Sequence, residues 1–314
     1  MDVKTPSTLR EAITYFADPD NCVSWMVARR WPNGVECPTC RSKKVSYQAA
    51  QRRWQCGSHH SKRLFSLKTG TILEDSPIGL DKWLPVIWLV TNCKNGVSSW
   101  EIHRAMGVTQ KTAWFMLQRA RLALQGKQGG KLSGEVEADE SFIGGKARFM
   151  HAHKRAEKIH GRGPDGKAIV AAVLERGGEI RVKVVKTRRK ADVQALVREN
   201  VEAGSNLYTD ALKSYDGLSE FTHQVVDHAV EYVNGQIHTN GCENFWSLLK
   251  RGLKGTYVSV EPFHLHRYID EQAFRYNNRK DMNDAERFDL AISQIVGKRL
   301  TYTELTGHAD DQPF

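Results

Sequence analysis

Three acidic residues in this sequence stand where phosphoryl-transfer chemistry would need them. Asp139 lies in GEVEADESFIGG, where Val136, Ala138, Phe142 and Ile143 flank the acids in a strand pattern with acidic residues on one face. Asp210 lies in NLYTDALKSY, at the end of a short strand (Leu207, Tyr208) that turns into a helix. Glu243 lies in HTNGCENFWSLLKR, which opens on the cap formers Thr239 and Asn240 and then places Phe245, Trp246, Leu248 and Leu249 mostly on one side of a helix. Asn240, Glu243, Ser247 and Lys250 share another side, so a carboxylate and an ammonium stand two turns apart. The acids are 71 and 33 residues apart, and a strand, a strand-to-helix turn and a helix can bring them together. Two such carboxylates suffice to hold magnesium, which keeps several waters. A pair of ions about 3.5–4 Å apart stabilises the attacking and leaving oxygens of an in-line displacement. Glu243 also sits at capping-box spacing from Asn240, so a purely capping role stays open. Glu137 shares the strand face of Asp139 and could approach the same ions. Glu140 falls on the opposite face, and Asp216 and Asp227 read equally well as turn residues.

A second group of residues is built for a different metal. Cys37-x2-Cys40 forms a knuckle, and Cys56 follows with His59 at +3 and His60 at +4. This is the Cys3His ligand set of a zinc ribbon, in which one tetrahedral Zn2+ is clamped by two short hairpins. Spacing alone leaves His59 and His60 open. No catalytic carboxylate neighbours the set, so the ion is expected to be structural. Lys43, Lys44, Arg52, Arg53, Lys62, Arg63 and Lys68 surround it, either as a solvated surface or as contacts to DNA phosphates.

These sites need a scaffold, and 314 residues are enough for two or three domains. A net charge of +10 and a pI near 9.3 point to a polyanionic partner, nucleic acid or an acidic membrane surface. No run approaches the roughly 18 apolar residues of a membrane span, and the N-terminus lacks a signal pattern. Six cysteines, three of them in the metal group, fit a reducing cytoplasm rather than a disulfide scaffold. The pattern predicts an N-terminal helical segment over 1–34, with a helix over 8–30 broken near Pro19, and a zinc ribbon over 35–75. A helix from Leu80 carries Pro85 in its first turn or is kinked by it. Residues 98–124 have a helix-turn-helix cadence within a segment over 76–125. Trp100, Ile102 and Ala105 point inward on its first helix and Ala113, Trp114, Met116, Leu117 and Ala120 on its second. Gln110, Lys111, Thr112, Gln118, Arg119 and Arg121 are left to face a major groove. A Gly-rich linker spans 126–134 and an α/β domain spans 135–280, leaving a helical tail over 281–314. Within the domain, residues 144–167 read as a basic loop that contacts DNA, with His151, His153 and His160 at its surface. A hairpin turning at Gly177-Gly178 follows. The order runs three strands, helix, strand, helix, strand, helix; periodicity alone says only α/β. A last helix packs Leu265, Tyr268, Ile269 and Phe274 and turns Arg267, Arg275 and Arg279 outward.

VEADESFIGGK, YTDALKSY, HTNGCENFWSLLKRGLKGTY and HRYIDEQAFRYNNR together resemble the DDE transposases of bacterial insertion sequences, in particular the insertion sequence 1595 type with its N-terminal zinc ribbon. The resemblance covers about residues 10 to 280. It implies an RNase H-like α/β core that cuts DNA at transposon ends and joins it to a target. It makes Asp139, Asp210 and Glu243 the ligands of Mg2+ (or Mn2+), and Lys250, with Arg251 beside it, a contact to DNA near the scissile phosphate. Members of the family can carry Asn or His at the third acid, and Asn240 and Asn244 share that helix. The spacing to Lys250 and the preference of a hard cation for carboxylate favour Glu243. The family's ribbon favours His60. With the resemblance, the helix-turn-helix residues Lys111, Arg119 and Arg121 become DNA contacts. Terminal inverted repeats and target DNA become the partners, and pairing of two ends implies at least a dimer. A cytoplasmic, nucleoid-associated protein is expected. Two other readings are an inactive zinc-ribbon and helix-turn-helix regulator, and an RNase H-like nuclease that cleaves without joining.

Overall fold

Capping side chains set where the first helices start. Thr8 accepts the Glu11 amide and Asp18 accepts that of Asp20, giving α1 (Leu9–Phe16) and α2 (Pro19–Arg30), with Pro19 at the start of the second helix. The computed structural model describes residues 4–126, 129–145, 147–159, 161, 165–226 and 238–307. Chain contacts divide it into two compact units, Met1–Gly126 with Asn278–Gln312, and Lys127–Asn277.

In the first unit, β1 (Val45–Gln48), β2 (Arg53–Cys56) and β3 (Leu64–Phe65) form a three-stranded antiparallel sheet. A buried helix follows, α3 (Leu80–Asn92), then α4 (Ser99–Met106) and α5 (Gln110–Ala123). Pro85 is the sixth residue of α3, so of the two expected outcomes, a place in the first turn or a kink, the first does not hold. The helix continues through it because eight of its thirteen residues are buried. Ser98 and Glu101 make a reciprocal capping box on α4, Gly107 turns with φ 61°, and Thr109 caps α5. The tail expected as a separate segment packs back into this unit through α10 (Asp284–Ser293) and α11 (Tyr302–Thr306). Phe288 sits among Phe16, Trp25 and Trp88, and Arg29 pairs with Asp289 at 2.8 Å.

Several faces in this unit differ from the periodic reading. Trp100 is 58 % exposed and Ala105 is exposed, while Ile102 alone of that trio is buried. Arg119 and Arg121, expected to face a DNA groove, are 5 % and 1 % exposed, and Gln118 is buried with them. Arg119 donates to the carbonyls of Leu300 (3.2 Å) and Glu74 (2.7 Å) and lies over the Phe115 ring. The helix packs against α3 and α4, and the returning tail adds Lys298 and Leu300 at its later turns, cover that a period of 3.6 cannot foresee. Lys111 stays exposed, over the Tyr302 ring.

The second unit holds a five-stranded sheet in the order β6-β5-β4-β7-β8: β4 (Glu135–Ile143), β5 (Ala168–Glu175), β6 (Ile180–Val185), β7 (Asn206–Asp210) and β8 (Thr222–Val226). The first three strands are antiparallel neighbours, and β4, β7 and β8 are parallel. Between β4 and β5 the basic segment contains a helix, α6 (Ala152–Lys158), where a loop was expected. His160 lies outside the described residues, as do Asp227 and the end of the last predicted strand. One face of the sheet packs Val136, Ala138, Ala171 and Val173 against α7 (Lys190–Asn200) through Val193, Leu196 and Val197. The other packs Val170, Ala172 and Leu174 against α8 (Asn240–Arg251) and α9 (Leu265–Asn277) through Cys242, Phe245, Trp246 and Ile269. The helix expected after Asp210 is only a short 3-10 turn, Lys213–Tyr215. On α9, Arg267 and Arg275 are buried rather than outward, and Arg275 is paired with the buried Glu271. That ion pair lets a polar residue sit on a packed face.

Gly241 brings the first turn of α8 directly onto the sheet. A Cβ there would lie 2.3 Å from a Leu174 methyl and 2.8 Å from a Glu137 carboxylate oxygen. Both neighbours are buried, so Gly241→Ala is expected to destabilise the second unit by about 1–3 kcal/mol, the usual cost of overpacking. Urea unfolding followed by tryptophan fluorescence measures it, and an unchanged midpoint would contradict this close approach.

Candidate active site and zinc centre

Strand register brings the first two acids together. Ala138 pairs with Thr209 in the parallel β4–β7 ladder, so Asp139 and Asp210 are the next residues along neighbouring strands. Neighbouring strands run about 4.8 Å apart. Asp139 is fixed on both oxygens: the Trp246 indole N–H donates to Oδ2 at 2.8 Å, and the Glu140 amide donates to Oδ1 at 2.8 Å. Each oxygen keeps a further lone pair for a ligand. Trp246 belongs to α8, one turn past Glu243, so the same bond ties the third acid's helix to the first acid's strand. Burial, joined by the charges of Asp210 and Glu243 and opposed by the Trp246 and Glu140 bonds, raises the Asp139 carboxyl to about 6. Asp210 Oδ1 accepts the Leu212 amide at 3.2 Å, which turns the chain just past the strand.

The N-terminus of α8 is seated by Glu137. This carboxylate accepts the Cys242 amide (3.0 Å) and pairs with Arg176 (3.0 Å) and His238 (3.3 Å). Arg176 also donates to the His238 carbonyl (2.8 Å) and to Glu135 (3.4 Å), and it lies over the Tyr208 ring. Glu137, expected as a possible neighbour of the same ions, is instead committed to holding the helix. A buried anion under a helix N-terminus complements the exposed amides there.

Strand alternation points Glu140 to the face opposite Asp139. It does point there, but it belongs to the acidic cluster. Its side chain is 2 % exposed, with the Tyr215 hydroxyl donating at 3.1 Å and Arg188 at 3.4 Å. Burial raises it to about 7, with Asp210 and then Asp139 adding to the shift. Its position just past the last β4–β7 pair, beside the end of β7, is the signal that could have found it. Lys250 sits on the α8 side, half-buried. Burial lowers it, Lys254 and Lys167 lower it too, and Asp139 opposes them. A positive flank thus borders the acids on that side, and Arg251 is exposed beside it.

In the ribbon, one donor atom from each of Cys37, Cys40, Cys56 and His60 lies within 4.8 Å of the others. Cys37 Sγ and His60 Nε2 are 3.5 Å apart, and Cys40 Sγ and Cys56 Sγ 3.6 Å. A tetrahedron of 2.3 Å Zn–S bonds has S···S edges of about 3.8 Å, so donor set and spacing fit a structural Zn2+. His60 is the fourth donor, and His59 is exposed. Among the surrounding cations, Lys68 donates to the Ser76 carbonyl and Arg63 to that of Cys56, so these two serve the fold. Among the described residues no other set of three or more such donors is drawn as tightly. Asp210 and Glu243 lie near enough to act on Asp139, but the three carboxylates are not drawn to that spacing.

Two family profiles match the chain. One, an ISXO2-like transposase domain, matches residues 131–277; the other, a transposase zinc-ribbon domain, matches residues 18–59. The chain is 32 % identical over 256 residues to an uncharacterized protein in transposable element ISH50 of Halobacterium salinarum, covering 77 % of this chain and 85 % of that one. It is 34 % identical over 97 residues to an uncharacterized transposase-like protein of Haemophilus influenzae, covering 30 % of this chain and 78 % of that one. No solved structure matches.

Two measurements probe this geometry. His60→Ala and Cys40→Ser are expected to release zinc and lower the ribbon's melting temperature, while His59→Ala leaves both unchanged; zinc content by atomic emission reads the difference. For Asp139, the folded carboxyl at about 6 lies above its usual 3.8, so the folded state holds the extra proton between those values. Its contribution to stability is therefore present below pH 4 and lost as pH rises through 6. Without divalent ions, Asp139→Asn should flatten the fall in melting temperature between pH 5 and pH 8 relative to the unsubstituted chain. Parallel curves would contradict the crowding of charge at Asp139.

Proposed function

The chain belongs to the insertion sequence 1595 family of DDE transposases, and from that premise we propose that it cleaves DNA at transposon ends and transfers the freed strand into a target. The observation that carries this reading is the parallel β4–β7 register, which sets Asp139 and Asp210 side by side, with Trp246 of the Glu243 helix bonded to Asp139. The strand order β6-β5-β4-β7-β8, three antiparallel strands followed by two parallel ones, supports an RNase H-like core.

Asp139, Asp210 and Glu243 would hold divalent ions. A buried, proton-raised carboxyl crowded by two other carboxylates is a donor set that a hard cation relieves. When bound, Mg2+ or Mn2+ would lower the pKa of the attacking water or 3′-hydroxyl and offset charge on the leaving oxygen. The chain's own part is placement. Trp246 and the Glu140 amide hold Asp139 in one orientation. Glu137 and Arg176 hold the start of α8, which fixes the direction of Glu243. Lys250 and Arg251, on the same helix, would meet the phosphates of the transposon end.

The first unit would recognise DNA through its zinc ribbon and through α4 and α5, whose turn and caps fit a helix-turn-helix. Lys111 is the exposed cation of α5 that suits this role; Arg119 and Arg121 are built into the core and are not assigned to DNA. Joining two ends would need at least two copies of the chain, in the cytoplasm with the nucleoid. Among the described residues no helix is long and apolar enough to cross a membrane.

The test is incubation of purified protein with Mg2+ and a labelled terminal inverted repeat. Nicking plus joined product is expected. Nicking alone would favour a nuclease, and a shifted but intact probe a regulator. Asp139→Asn, Asp210→Asn and Glu243→Gln should each lower nicking by at least about a hundredfold, the upper end of what losing a group that only orients a metal ligand costs. If Asn240→Ala or Asn244→Ala abolishes nicking and Glu243→Gln does not, the third ligand is the amide.

A further inference from the structure

A second cationic surface borders the acids on the side opposite Lys250. The turn between β6 and α7 reads Lys186-Thr187-Arg188-Arg189-Lys190, and its four cations are exposed. It is not a loose charge run. Arg188 pairs with Glu140 at 3.4 Å and lies over the Phe142 ring. The Arg188 carbonyl accepts the Ser214 hydroxyl at 2.5 Å. Gln194 of α7 donates to the carbonyls of Ser214 and Asp216 at 3.0 and 2.9 Å. The turn is thereby clipped both to the second half of β4 and to the segment just past Asp210. That segment adds exposed Lys213.

The acids thus have a cationic flank on each face of the sheet. Lys250, Lys254 and Lys167 lie on the α8 side, and the β6–α7 turn with Lys213 lies on the α7 side. In an in-line displacement the attacking and leaving oxygens lie on opposite sides of phosphorus. A strand that attacks and a strand that is attacked therefore approach the same pocket from different directions. One flank cannot track both backbones.

We propose that the β6–α7 turn binds the phosphate backbone of the target duplex, leaving the Lys250 flank to the transposon end. This rests on the transposase reading above. Arg188 has two jobs, since its ion pair also positions Glu140. Among the described residues, Lys186, Arg189 and Lys190 make no such pair to the acids, so they can be replaced without disturbing the cluster.

The experiment uses the full chain carrying Lys186→Ala, Arg189→Ala and Lys190→Ala together, with a melting temperature taken to verify folding. With a transposon end and a limiting labelled target duplex, joining is expected to fall about tenfold while nicking of the end falls less than twofold, as the removal of a few phosphate-binding cations implies. Raising the target concentration or lowering salt should restore joining, and Arg189→Lys alone should behave as the unsubstituted chain does. For a duplex without terminal repeats, the slope of log affinity against log salt should become shallower by about 0.9 for each phosphate no longer neutralised. Equal loss of nicking and joining, or joining untouched at limiting target, overturns the proposal. If the unsubstituted chain neither nicks nor joins, the transposase reading fails instead. The salt dependence then decides whether the turn binds DNA at all.

Discussion

The parallel pairing of β4 with β7 is the constraint on which the rest of the second unit depends. A shift of one residue in that ladder would send Asp139 and Asp210 to different rows and opposite faces. The register is held by burial on both sides: Val136, Ala138 and Leu207 pack on α7, while Ala172 and Leu174 pack under α8. Two polar bonds then lock the helix to the strand. Glu137 takes an amide of the helix's first turn, and Trp246 takes the carboxylate two residues along. Alternate residues of one strand thus divide the labour, Glu137 seating the start of the helix and Asp139 meeting its next turn through Trp246.

That arrangement accepts an electrostatic cost. Asp139, Glu140 and Asp210 crowd the place where the β4–β7 ladder stops, and burial raises the first two well above the ordinary carboxylate range. Groups displaced in this way are common where a protein holds a charge ready for chemistry. Arg188, Tyr215 and Lys250 offset part of the repulsion from the two faces. The zinc ribbon shows the contrast: its four donors already stand at tetrahedral spacing, as a closed structural site requires.

Much of this was legible in residue types and spacing. The Cys37, Cys40 and Cys56 set could be read directly, and so could the two strands and the helix bearing the acids, because caps and alternation are local. His60 could not be separated from His59 by spacing, since either ring can reach the ion until the chain path of the loop is known. Other expectations failed where tertiary cover overrides periodicity. Arg119 and Arg121, expected on a solvent face, are buried, Arg119 against the carbonyls of Leu300 and Glu74. The helix after Asp210 shrank to one turn because Asp210 itself caps the Leu212 amide and the chain must reach β8 quickly. Glu140 escapes a reading by alternation because alternation describes faces, and where the β4–β7 ladder stops an acid on either face of β4 lies within reach of Asp210.

The central claim is that Asp139 and Asp210 serve one pocket, and metal binding tests it apart from catalysis. Mn2+ titration of the full chain, followed by electron paramagnetic resonance, should show a site that Asp139→Asn and Asp210→Asn each weaken. In the double variant the losses should not add, because both remove the same ion. Two additive losses, or Mn2+ binding indifferent to both substitutions, would mean that the carboxylates do not share an ion and that this account of the pocket is wrong.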